Sequence, residues 1–265
     1  TVTVISDVTN SVVATISVGS SPSAIAYDSA KGEMFVANYF SDNVTVIADA
    51  TNAVIATVPV GRNPGGIAYD PRRGEVFVAN RLSSNVSVIS DATHVVVASF
   101  RVGLNPEGVA FDADTGELFV ADGSSNTISV ISNSANGVVA TVPVGRNPKA
   151  VTYDAGTGNV FVTNYGSSNV SVISGATHAG VATIDVGVGP GGIASDAATG
   201  AIYVSNVYQG TISVIGSPQG ESGPGFQGLP AWIVYLVVLI VAAVVVTGFL
   251  FYRYRTRTKR PPTEP

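Results

Sequence analysis

Two histidines are the first side chains to weigh, because imidazole is the group best suited to proton transfer or metal ligation near neutral pH. They are His94 and His178, the only two in 265 residues. They hold equivalent places in an internal repeat, where other copies carry Asn10, Asn52 and Asn136. A place that takes Asn or His alike reads as a polar surface turn rather than half of a metal pair. No cluster of His and carboxylates stands out, so no triad can be assembled without inventing partners. Cys is absent, which removes disulfides and Cys-based metal sites. No catalytic residue, cofactor or metal is expected.

Carboxylates and sequons come next. Asp112-Ala113-Asp114-Thr115-Gly116-Glu117 places carboxylates close together on a tight turn, as a hard cation requires. It occurs once and lacks a full ligand spacing. Asp28, Asp70, Asp112, Asp154 and Asp196 each precede a glycine by four residues. Asp bonds its own backbone two residues on and Gly accepts positive φ, so these read as hairpin turns. Three sequons, at Asn43, Asn85 and Asn169, are candidate glycan acceptors on an exported protein. Asn at that place also serves as the residue that opens a strand.

The elements that carry these residues follow from a gapless 42-residue period running from Thr1 to about Gly216. Val18-Gly19 returns at 60–61, 102–103, 144–145 and 186–187. Phe35-Val36-Ala37-Asn38 returns at 77–80, 119–122, 161–164 and 203–206, with some substitutions. Such a unit cannot bury its apolar face alone and must stack on its neighbours. One copy holds four β-type runs: Gly66–Asp70, Glu75–Asn80, Asn85–Ser90 and Val95–Val102. The third alternates apolar with small polar residues, as a strand with one buried face does. No sustained 3.6-residue period interrupts them. The expected fold class is all-β, a β-propeller of four-stranded antiparallel blades.

The tetrapeptides Phe-Val-Ala-Asn, Phe-Val-Thr-Asn and Tyr-Val-Ser-Asn resemble the YVTN-type β-propeller repeat, over about four fifths of the chain. The resemblance implies an archaeal or bacterial cell-surface protein, surface-layer components among them, and no single activity. It also implies strand order within a blade: the Ile-Ala-Tyr-Asp strand innermost (A), then B, C and an outer D. The chain then begins with C and D and ends with A, B and C, giving 21 strands. Closure by an N-terminal strand is expected, because it hides a sheet edge. Complete blades need a multiple of four, so 21 strands leave two readings of the ring, the second with one C strand surplus. One is larger, seven-bladed by resemblance, with its N-terminal part missing. The other is five-bladed, with Val12–Val18 completing the last sheet.

In that blade order the D–A and B–C loops share one face. They present Tyr39, Arg62, Asn80, Arg81, Arg146, Lys149, Tyr165 and Tyr208, residue types common at interfaces. Loops on a rigid scaffold are where recognition concentrates, so these eight form the candidate binding face.

Between residues 1 and 216, eight Lys/Arg stand against sixteen Asp/Glu. A net of −8 argues against nucleic acid as a partner. Residues 217–228 are rich in Gly, Pro and Ser and read as a flexible linker. Residues 229–252 read as a transmembrane helix. Its uncharged run Ala231–Tyr252 spans roughly 33 Å as a helix, enough for a core of about 30 Å. Aromatics flank both ends, and Arg253, Arg255, Arg257, Lys259 and Arg260 follow. Residues 253–265 are therefore a cytoplasmic tail by the positive-inside rule, and the repeats face outward. That topology calls for an upstream export signal. The sequence thus suggests a membrane-anchored binding or structural module of the cell envelope, with proteins or glycans as partners. A surface-displayed lactonase or lyase is the alternative.

Overall fold

The computed structural model describes residues 1–132, 135 and 137–216. They fall within the first of two units, Thr1–Gln219. The linker, transmembrane and tail assignments at 217–265 lie outside the described residues. Among the described residues, no helix is long and apolar enough to cross a membrane.

The described residues form six antiparallel sheets. The first pairs β1 (Val2–Ser6) with β2 (Ser11–Ile16). Four complete sheets follow: β3 (Pro22–Asp28), β4 (Glu33–Asn38), β5 (Asn43–Ala48), β6 (Ala53–Pro59); β7 (Pro64–Asp70), β8 (Glu75–Asn80), β9 (Asn85–Ser90), β10 (Val95–Arg101); β11 (Pro106–Asp112), β12 (Glu117–Asp122), β13 (Thr127–Ser132), β14 (Gly137–Pro143); and β15 (Pro148–Asp154), β16 (Asn159–Asn164), β17 (Asn169–Ser174), β18 (Gly180–Asp185). The last holds β19 (Pro190–Asp196), β20 (Ala201–Asn206) and β21 (Thr211–Ile215). Each sheet is a simple meander, so its turns fall at two ends. A–B and C–D turns mark the turn end, and B–C and D–A loops mark the loop end.

Each connection whose closing residue is described ends on a left-handed residue. Gly32 (φ 66°) ends the first A–B turn and Asn63 (φ 54°) ends a D–A loop. His94 (φ 53°) and His178 (φ 58°) end C–D turns. Asn and His tolerate this region better than most side chains, which is why they interchange there. Asp28 Oδ1 accepts the Ala30 N–H at 2.8 Å, and Asp70 and Asp112 repeat the bond at the same distance.

The two most persistent sequence signatures are one device. Asn80, fully buried, donates its amide to Asn85 Oδ1 at 3.0 Å and Ser87 Oγ at 2.9 Å. A Cβ on Gly61 would lie 2.6 Å from Asn80 Cγ. The Val-Gly pair therefore leaves room for the Asn that ends the second strand. Strand C consequently differs from its expected half-exposed pattern. Ser87 is buried along with Val86 and Val88, because the Asn80 amide satisfies its hydroxyl.

Apolar cores lie between successive sheets. Phe35, Val44, Val46 and Val58 of one sheet pack against Val76, Val78 and Ile89 of the next. The arrangement recurs as Phe77, Val86 and Val88 against Leu118, Val120 and Ile131. The inner strands β3, β7, β11, β15 and β19 stand side by side in sequence order. The succession is propeller-like, but the described residues form no closed ring. Val12–Val18, the segment that completes the last sheet in the five-bladed reading, does not pair with β21. β2 pairs with β1, and Val2 and Ile16 are buried against Val36 and Ile47. That burial commits the segment to the first sheet. Ile212, in the last sheet, is consequently 62 % exposed, whereas its counterpart Val44 is 0 % exposed.

Candidate functional site

Tyr39, Arg81 and Tyr165 occupy the same place in three repeats, just after strand B. Their backbone N–H groups donate to the carbonyls of Ser21, Asn63 and Asn147, the left-handed residues of the D–A loops. Asn63 ties neighbouring sheets together, because its N–H reaches Asp42 Oδ1 at 2.8 Å and its amide reaches the Tyr39 carbonyl at 3.2 Å. The loops are thus fixed by their own turn residues, which holds the side chains in a set arrangement.

That arrangement makes a cleft of about 310 Å³ at the loop end, lined by Ser23, Tyr39, Arg81, Glu107, Lys149 and backbone of Gly65, Gly66, Gly108 and Gly191. Arg81 Nη1 donates to Tyr39 Oη at 3.1 Å, and Nη2 lies 3.3 Å from Glu107 Oε1. The hydrogen bond to Tyr39, together with the Glu107 charge, holds the guanidinium firmly protonated. Lys149 Nζ sits 4.9 Å from the Tyr165 ring centre, within cation–π range. Tyr165 Oη donates to Tyr208 Oη at 2.7 Å, and this bond raises the Tyr165 pKa. The Tyr165 phenol therefore stays neutral at physiological pH. A cavity of similar size between Pro143, Asn169 and Thr183 carries no charged or aromatic side chain.

The floor of the cleft comes from a recurrent break in the inner ladder. Pairing of β7 with β8 skips from Pro64 to Ile67, and that of β11 with β12 from Pro106 to Val109. The residues left out, among them Gly65, Gly66, Glu107 and Lys149, turn toward the cleft instead of a partner strand. Glu107 went unnoticed in the sequence. Its signal was available, because it holds the same repeat position as Lys149.

The eight expected face residues divide. Tyr39, Arg81 and Lys149 line the cleft, and Tyr165 and Tyr208 extend it through Lys149. Arg62 and Arg146 are exposed in the D–A loops nearby. Asn80 does not belong, because it is buried and braces the corner described above. The sequon residues Asn43, Asn85 and Asn169 accept from Asn38, Asn80 and Asn164. Thr45, Ser87 and Ser171 are buried partners of the same amides.

Charge is divided between the ends. Arg62, Arg81, Arg101, Arg146 and Lys149 stand at the loop end against Asp42, Glu107, Asp122 and Asp185. The remaining three Lys/Arg and twelve Asp/Glu of residues 1–216 lie at the turn end.

The histidines are ties between sheets rather than free surface groups. His94 Nε2 lies 2.9 Å from Glu33 Oε2, and His178 Nε2 lies 2.7 Å from Glu117 Oε2. Each ring meets a buried Phe edge-on, His94 at Phe35 and His178 at Phe119. Asp114 Oδ2 is likewise engaged, accepting from Tyr153 Oη at 2.6 Å. Among the described residues, no three His, Cys, Asp or Glu side chains group as a metal site.

No protein-family model matches the chain, and no curated protein matches it. Solved structures do. A functionally unknown protein from Desulfotomaculum acetoxidans DSM 771 superposes with a TM-score of 0.68 at 17 % identity, over 82 % of this chain and 76 % of that one. Kuenenia stuttgartiensis hydrazine synthase superposes with a TM-score of 0.56 at 16 % identity, over 81 % and 89 %. The likeness is one of fold. At such identity it carries nothing about activity.

Proposed function

We propose that the chain is a membrane-anchored extracellular binding module of the cell envelope, recognising its partner at the loop end. The observation that carries this reading is the cleft itself. Five of the expected face residues gather around one cavity with Glu107, on loops fixed by backbone bonds. Sites of this kind combine ring faces with a few convergent polar groups. The apolar run Ala231–Tyr252 and the basic residues after it supply the anchor and its orientation.

The test is binding of the purified full chain to isolated cell envelopes. A triple Tyr39→Ala, Arg81→Ala, Tyr165→Ala variant is expected to lose binding while unfolding at the same temperature. Retained binding removes the loop end as the recognition face.

A further inference from the structure

The chemistry of the cleft narrows its ligand. Lys149 is exposed, fixed over the Tyr165 ring, and makes no ion pair among the described residues. A positioned, unpaired cation is a place for an anion. Arg81 and Glu107 set a donor group beside an acceptor, 3.3 Å apart, and that pairing matches two adjacent hydroxyls, each able to give and take a hydrogen bond. Tyr208 is 69 % exposed and offers, with Tyr165, ring surface for a flat apolar face. The strongly acidic turn end repels anions toward the loop end.

We propose that the cleft binds an acidic oligosaccharide. A uronate carboxylate sits against Lys149, vicinal hydroxyls meet Arg81 and Glu107, and a neighbouring sugar face covers Tyr165 and Tyr208. This rests on the binding-module reading and gives it a ligand class. An acidic peptide fits less well. Extended peptides are captured on free strand edges, and the inner strands here lean on one another. A Cβ on Gly108 would lie 2.9 Å from Ala150 Cα of the next inner strand.

The experiment is calorimetric titration of the detergent-solubilised full chain with tri-galacturonate, maltotriose and hexaglutamate. Tri-galacturonate is expected to bind more tightly than either. Lys149→Ala and Arg81→Ala should each weaken it at least about tenfold, as loss of a charge-assisted contact does. Arg72→Ala, which removes a cation at the turn end, should leave it unchanged. Equal binding of maltotriose overturns the role of charge. Preference for hexaglutamate, or no binding of tri-galacturonate, overturns the sugar. If envelope binding still requires Arg81 and Tyr165 in those cases, the binding face survives and only the ligand class falls. If envelope binding ignores both residues, the binding face falls whatever the titration shows.

Discussion

Four repeats end their second strand on Asn, and one ends it on Asp122. In that repeat the hydrogen bonds reverse. Ser129 and Thr127 donate to Asp122 Oδ2 at 2.7 and 3.2 Å, while Oδ1 is buried without a donor. Burial outweighs the donated bonds and pushes the carboxyl from 3.8 up to about 6. The folded state therefore holds a proton that the unfolded chain releases. Stability from this group is full below about pH 4 and is lost as pH rises through about 6. Asp122→Asn is expected to stabilise the chain at pH 8 by up to about 3 kcal/mol. The gain should vanish toward pH 4, as thermal unfolding across pH will show. The histidines allow a second substitution test. His94→Asn keeps a residue suited to the left-handed turn and removes the tie to Glu33 together with the edge contact on Phe35. A loss of about 1 kcal/mol in denaturant unfolding is expected, and no loss would make the tie decorative.

At the level of elements, strands were the most legible part of the sequence. The runs at Gly66–Asp70, Glu75–Asn80, Asn85–Ser90 and Val95–Val102 differ from β7 to β10 by no more than two residues at either end. Period and β-branched content decide them locally. What stayed hidden depends on distant partners. Ser87 reads as solvent-facing until Asn80 is seen to satisfy it. His94 reads as a turn residue until Glu33, 61 residues away, comes into reach. The five-bladed alternative fails for a similar reason: it assigns Val12–Val18 to the last sheet, yet the burial of Ile16 holds that segment in the first. The cleft was legible in part, because Tyr39, Arg81 and Tyr165 share a repeat position, whereas the skipped ladder residues behind Glu107 leave no local mark. The Gly61–Asn80 packing makes its own prediction. Gly61→Ala forces a methyl into the Asn80 amide and should cost about 1–3 kcal/mol, as overpacking does. Gly116→Ala, whose Cβ meets nothing within 4 Å, carries only the strain of its φ of 75°. Comparing the two by thermal unfolding separates crowding from backbone strain.

The whole molecule combines an acidic turn end, a loop end close to neutral, and a C-terminal run suited to a membrane. The proposed anchor predicts that alkaline carbonate leaves the full chain in the membrane pellet, and that deleting 231–252 releases it. Release of the intact chain by carbonate would remove the anchor. The central claim is that recognition happens in the cleft shared by the inner strands of the four complete sheets and the last, three-stranded one. Hydrogen–deuterium exchange of the full chain, with and without saturating envelope material, tests it most directly. The account predicts new protection at 62–66, 80–82, 105–108, 146–150, 165–166 and 207–209, with the turns at 29–32, 71–74 and 113–116 unchanged. Protection confined to those turns, or spread evenly over both ends, would contradict it.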